Sequence, residues 1–258
     1  MSIIKELPLN LQRAISSKSL FKVISGLKNF NSESVMRISR AAAKGGADLI
    51  DIACDPNLVH LASKEAKLPI CVSAVEPKLF VPAVDAGASI VEVGNYDSFY
   101  PSGRKFEPDE ILSIASETKS LLPDTVLSVT VPHTIPLDLQ VDLAVELANN
   151  GVDIIQTEGG VSAKPFNSGN LGLIEKAAPT LAATSSIFQD FISLKIDVPI
   201  IAASGLSRIT CPMAIAVGAS GVGVGSAINK LNDEIAMIAV VKDIRLAIDN
   251  LFSSQLIC

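Results

Sequence analysis

Short apolar runs recur along the chain, each followed by a longer stretch whose apolar positions return every three or four residues. The runs at 20–25, 48–53, 69–74, 89–93, 126–131, 153–157, 199–203 and 220–224 have the length of buried strands. The stretches at 33–44, 57–66, 108–121, 136–149, 211–217 and 227–251 read as amphipathic helices. Repeated strand–helix alternation over 258 residues predicts an α/β fold, a single (β/α)8 TIM barrel domain spanning 1–258, in preference to an open sheet.

An internal repeat supports the barrel. Gly46-Ala47-Asp48-Leu49-Ile50-Asp51, Gly87-Ala88-Ser89-Ile90-Val91-Glu92, Gly151-Val152-Asp153-Ile154-Ile155-Gln156 and Gly218-Ala219-Ser220-Gly221-Val222-Gly223 share one template. In each, a glycine ends a helix in a left-handed cap, a small residue turns the chain, and an even-numbered strand begins. Side chains alternate along a strand, and Ile50, Ile52, Val91, Val93 and Ile155 suit the helix-facing side. Asp51, Glu92, Gln156 and Gly223 then point into the barrel as one layer, since barrel layers draw on alternate strands. Polar residues and a glycine make a poor hydrophobic plug and a good floor for a site.

The last quarter carries the strongest local signal. Val198 to Gly205 is an apolar strand ending in a turn, and Gly218 to Ser226 is a strand that opens a helix. Turns after strands seven and eight are where barrels hold phosphate, so Ser204, Gly205, Gly223, Gly225 and Ser226 form a candidate phosphate site. Glycine there allows close approach of the anion and positive φ. Residues 198–229 resemble the phosphate-gripping end of thiazole synthase, the pyridoxal-phosphate synthase barrel and flavin-mononucleotide barrels. The competing reading is that these glycines only permit tight strand–helix packing.

Lys22 sits in the apolar strand Phe21-Lys22-Val23-Ile24-Ser25 and points inward if Phe21 and Val23 face the helices. Burial would lower its pKa and suit Schiff-base or base chemistry, whereas an ion pair with Asp51 or Glu92 would keep it charged. His133, in a loop stiffened by Pro132 and Pro136, is a general acid/base or a phosphate donor on one reading, and a histidine bound to loop backbone on the other. His60, in a helical pattern, receives no role. Glu158 and Lys164 flank Gly159-Gly160, a hinged lid or a plain surface loop. The loop 95–106 holds both tyrosines, Tyr96 and Tyr100, which suggests an aromatic cover over the barrel mouth, with Arg104 or Lys105 adding charge. That loop could instead pack on its own rings or form an oligomer contact.

Composition narrows the function classes. A net charge of −6 opposes a broad basic face for duplex nucleic acid, and 48% hydrophobic residues exclude disorder. Cys54, Cys71, Cys211 and Cys258 are too scattered for a metal quartet or a redox pair. The N-terminus has neither a signal h-region nor an Arg-rich transit pattern, and the longest uncharged stretch, 209–229, is broken by Pro212 and several glycines, which argues against a membrane span. Walker, Rossmann, zinc and Gly-x-Ser-x-Gly motifs are missing. No metal site is assigned; Asp51 and Glu92 are weak grounds for Mg²⁺.

Three further stretches carry a family resemblance: Val93 to Tyr100, Leu127 to His133 and Asp153 to Gly160. They resemble the plastid hypothetical reading frame twenty-three family of red-algal plastids and cyanobacteria, along nearly the whole chain. The resemblance implies the plastid stroma, or the cytoplasm in a cyanobacterium, and implies no activity. The residues themselves suggest a lyase or isomerase acting on a small phosphorylated metabolite, with Lys22, Asp51, Glu92 and Gln156 at the reacting centre and His133 and Glu158 as proton carriers. Two rivals stand beside it: an FMN-dependent oxidoreductase and a non-catalytic phosphometabolite sensor. No stretch specifies a homo-oligomer interface.

Overall fold

The computed structural model describes residues 3–159 and 163–253. Parallel strands β1 (Leu20–Ile24), β2 (Leu49–Ala53), β3 (Ile70–Ala74), β4 (Ile90–Val93), β5 (Val126–Val131), β6 (Ile154–Thr157), β7 (Ile200–Ala203) and β8 (Gly221–Val224) close into a barrel in chain order. Around it lie α1 (Leu9–Ser16), α2 (Ser32–Gly45), α3 (Pro56–Ala66), α4 (Phe80–Asp85), α5 (Pro108–Leu121), α6 (Leu137–Asn149), α7 (Gly169–Leu194), α8 (Thr210–Ala216), α9 (Ser226–Asn229) and α10 (Glu234–Ser253). Among the described residues, no helix is long and apolar enough to cross a membrane.

The alternation along each strand sorts its side chains into two cores. Phe21, Val23, Ile50, Ile52, Val91, Val93 and Ile155 face outward into the layer shared with the helices. Leu20, Leu49, Cys71, Ile90, Val126, Ile154 and Ile201 face inward and fill the lower barrel, where Leu11, Ala14 and Ile15 of α1 pack beneath them. The barrel is therefore closed at its N-terminal end by an amphipathic helix that the periodicity did not single out.

The repeated template has physical content at each position. Gly46, Gly87, Gly151 and Gly218 all take positive φ, as a left-handed turn before the strand requires. The Asp two residues on ties neighbouring strands together: Asp48 accepts from the Phe21 N–H at 2.8 Å and Asp153 from the Leu127 N–H at 3.0 Å. One expected element divides. The stretch 227–251 is not continuous, because Asp233 accepts the Ala236 N–H at 2.7 Å and starts α10 afresh after the short α9.

Leu11 is fully buried under the barrel. Leu11→Ala should cost about 2–5 kcal/mol in urea unfolding. A smaller loss would mean that the lower barrel does not depend on α1.

Candidate active site

Lys22, Asp51, Glu92 and Gln156 all turn into the barrel, and they also touch one another. Lys22 Nζ lies 2.6 Å from Glu92 Oε2 and 3.9 Å from Asp51 Oδ2. All three residues are at most 1% exposed, so the network is dry. Burial by itself lowers the Lys22 pKa, but Glu92 and then Asp51 outweigh it, and the pKa is raised. Of the two readings of Lys22, the ion pair forms, and the neutral amine that Schiff-base chemistry needs is disfavoured.

Asp51 yields within this network. Burial pushes its pKa up to about 6, and Glu92 adds to the rise, against Lys22 and the donors Ser73 Oγ at 2.6 Å and Asn95 Nδ2 at 3.0 Å. Glu92 also accepts from Ser128 Oγ at 2.9 Å and Gln156 Nε2 at 2.7 Å. Gly223 joins the layer for want of space. A Cβ there would meet Ile24 Cδ1 at 3.0 Å, Ala203 Cβ at 3.1 Å and Lys22 Cε at 3.4 Å. The positive φ expected of the phosphate-turn glycines occurs at Gly205 (73°) but not at Gly223 or Gly225, and it extends to Ser204 (71°), where it strains a residue with a side chain. Thr180 Oγ1 steadies that turn by donating to Ala203 O at 3.1 Å and Ser204 O at 2.8 Å.

Above the floor a cavity of about 420 Å³ opens at the C-terminal ends of the strands. Ser204, Gly205, Leu206, Gly223, Gly225, Ser226 and Lys230 line its β7–β8 side, and Asn95, Asp97, Gln156, Glu158 and Lys176 are also on the lining. Of the floor, buried Gln156 and Gly223 border the cavity; Lys22, Asp51, Glu92 and His133 lie behind its lining. Ser204 Oγ donates to Asp97 Oδ2 at 2.7 Å, joining the turn after β7 to the loop after β4.

Glu158 has three partners on one oxygen. His133 Nδ1 lies 3.0 Å from Oε1, the His133 N–H donates to it at 3.3 Å, and the Tyr100 hydroxyl also donates to it. Burial raises the Glu158 and Asp97 carboxyls above their usual range. Burial lowers His133, but Glu158 and Asp97 outweigh it, so the imidazole is raised. The ring of His133 thus pairs with a carboxylate rather than loop backbone. Asp97, His133 and Glu158 each offer one ligand atom within 4.8 Å of the others, a set that could hold a divalent cation.

The aromatic cover does not form. Tyr96 is fully buried in the outer core with its ring 4.4 Å from that of Phe106. Tyr100 stands edge-on to His133 at 5.0 Å, and Arg104 pairs with Glu110 at the surface. The loop supplies Asn95, Asp97 and Ser98 to the cavity instead. Gly159 packs closely, since a Cβ there would lie 2.7 Å from Thr180 N; Lys164 is exposed, and Gly160 lies outside the described residues. Sequence reasoning missed Asp97, Lys176 and Lys230. Lys176 is carried by α7, which the periodicity did not single out, while Asp97 stood inside a loop read for its aromatics.

A closed parallel barrel with a polar cavity at the C-terminal ends of its strands defines a TIM barrel, and that end is where such barrels carry their active sites. Within that class, the chain belongs to the family described as "Protein of unknown function (DUF561)", matched over residues 6–253. It is 45% identical over 236 residues to "Uncharacterized protein ycf23" of Cyanophora paradoxa, covering 91% of this chain and 95% of that one. With the ycf23 protein of Porphyra purpurea it shares 39% over 233 residues, 90% and 86% of the two chains. Among solved structures it is similar in fold to thiamine phosphate pyrophosphorylase from Pyrococcus furiosus, with TM-score 0.58, 16% identity, and 91% and 97% coverage. It is also similar to 3-hexulose-6-phosphate synthase, with TM-score 0.62, 18% identity, and 88% and 99% coverage.

The raised Asp51 carboxyl fixes a pH dependence. Its folded pKa of about 6 exceeds the unfolded value of about 3.9, so the folded state binds the extra proton, and its stabilising effect is lost as pH rises through 6. Asp51→Asn carries no such proton and should lose less stability than the parent between pH 4 and pH 8, by up to about 3 kcal/mol in paired denaturant titrations. Equal losses would assign Asp51 an ordinary pKa.

With only His60 and His133 in the chain, imidazole NMR resolves the second dependence. His133 should titrate above 6.5 in the parent and fall below the parent value in Glu158→Gln, where burial remains and the neighbouring charge is reduced. An unmoved His133 would separate it from Glu158.

Proposed function

We propose that this chain is a lyase- or isomerase-type enzyme acting on a small phosphorylated metabolite. The observation that carries this reading is the two-sided chemistry of the cavity. The β7–β8 side offers turn backbone at Gly205 and Gly225, the first N–H groups of α9 and the Lys230 side chain. Elsewhere the lining offers the Glu158 and Asp97 carboxyls and the Asn95 and Gln156 amides.

In this reading Ser204, Gly205, Gly225 and Ser226 hold the phosphate. Ser204 contributes backbone, its hydroxyl being committed to Asp97. Glu158 moves the proton, because burial raises its pKa above the usual carboxylate range while the side chain still reaches the cavity. His133 shares that proton, and Tyr100 orients Glu158. Lys22, Asp51 and Glu92 support the site from beneath. The structurally similar thiamine phosphate pyrophosphorylase and 3-hexulose-6-phosphate synthase are named for phosphorylated compounds, in keeping with this reading. The flavin alternative relied on an aromatic cover, and Tyr96 and Tyr100 are engaged elsewhere. The algal ycf23 relatives support placement in the plastid stroma, or in the cytoplasm of a cyanobacterium.

Ser226→Asp tests the phosphate grip. An acidic residue at a helix start keeps the fold, yet faces a bound phosphate with a like charge. Calorimetry with inorganic phosphate should show at least about tenfold weaker binding than the parent, at unchanged melting temperature. Equal affinity would remove phosphate from the β7–β8 turns.

A further inference from the structure

The floor dictates which way Gln156 faces. Its Nε2 lies 2.7 Å from Glu92 Oε1 and 3.1 Å from Thr130 Oγ1. Glu92 is bound at its other oxygen by Lys22 at 2.6 Å and Ser128 at 2.9 Å, so it is held as an acceptor. Turning the amide over would set its oxygen against a carboxylate oxygen. Gln156 Oε1 is left buried with no hydrogen-bond partner, on a residue 1% exposed that lines the cavity.

Asn95 repeats the arrangement on the next wall. Its Nδ2 donates to Asp51 Oδ2 at 3.0 Å and to Ser73 Oγ at 2.7 Å, and the residue lines the same cavity. That amide too has its nitrogen claimed by a carboxylate, which leaves Oδ1 for a ligand. A buried carbonyl without a donor is costly to desolvate, so Gln156 Oε1 calls for a donor, which a ligand hydroxyl can supply.

We propose that the cavity selects a phosphorylated polyhydroxy compound, a sugar phosphate in chemical class, one of whose hydroxyls donates to Gln156 Oε1 and another to Asn95 Oδ1. The inference deepens the phosphate reading above and rests on it. Neutral amide oxygens match neutral hydroxyl donors better than they match a cation. A planar aromatic phosphate would bring ring faces to a lining that, among the described residues, holds no aromatic side chain.

The test compares three probes by calorimetry: inorganic phosphate, D-arabinitol 5-phosphate, which lacks a carbonyl and cannot react, and n-pentyl phosphate, which lacks the hydroxyls. Each is titrated into the parent and into Gln156→Met, a near-isosteric change that removes the acceptor. The polyol phosphate should bind the parent at least about tenfold tighter than the alkyl phosphate, and Gln156→Met should close most of that gap while leaving inorganic phosphate unchanged. Equal affinities for the two esters, with inorganic phosphate still bound, would overturn this inference and leave the phosphate site standing. A gap that persists in Gln156→Met would overturn the role of Gln156. Failure of all three probes to bind would overturn the phosphate reading and this inference together. If Gln156→Met does not fold, the two esters on the parent still decide.

Discussion

The upper half of this barrel depends on one constraint, the placement of a lysine inside it. An ammonium with 1% exposure is tenable only beside an anion, and Glu92 supplies it at 2.6 Å. The rest of the layer follows. Glu92 needs further donors and takes Ser128 and Gln156, and Gly223 stays without a side chain because Ile24 and Ala203 leave a Cβ little room. Asp51 adds a second carboxylate to a single cation, and that imbalance, with burial, raises its pKa while Ser73 and Asn95 satisfy its oxygens. Removing Lys22 would therefore strand buried carboxylates and damage the floor.

Beneath this layer the barrel is apolar and closed by α1. The division matters electrically. A dry lower barrel leaves no solvent path to screen the ion pair from below, so the charges interact strongly and hold their geometry. The hydrogen bonds from Gln156 to Glu92 and from Asn95 to Asp51 fix which way those two amides face. The wall is built differently. Glu158, His133 and Tyr100 form a short chain at the cavity edge, where proton affinity is shifted yet the carboxyl remains in reach of a ligand.

The barrel was legible in the chain because strand alternation and the glycine template repeat with little variation, and all eight strands lie within a residue or so of their expected limits. The inward layer was legible for the same reason: period two decides which face Asp51, Glu92 and Gln156 take. Contacts made by loops were not. Nothing in the spacing of 95–106 distinguishes a ring that covers a cavity from one that turns into the outer core, as Tyr96 does against Phe106. Long-range partners were equally hidden. Asp97 and Ser204 are 107 residues apart, and only closure of the barrel brings them together. The absence of a side chain at Gly223 suggested backbone freedom, whereas the folded chain needs the volume.

The Ser204–Asp97 bond also shows how the two sides of the cavity are kept in register. Ser204 holds a left-handed conformation that costs free energy, and the bonds it makes offset that cost: its carbonyl accepts from Thr180 and its hydroxyl donates to Asp97. The strained turn is thus pinned from the α7 side and from across the mouth. Because the same turn leads into Gly205 and the same loop carries Asn95, the spacing between the β7–β8 side and the amide acceptors is set by protein bonds already present in the free chain. A ligand that spans the cavity meets a fixed distance rather than a pair of independent loops, and preorganisation of that kind favours a molecule of matching length over one that merely carries the right groups.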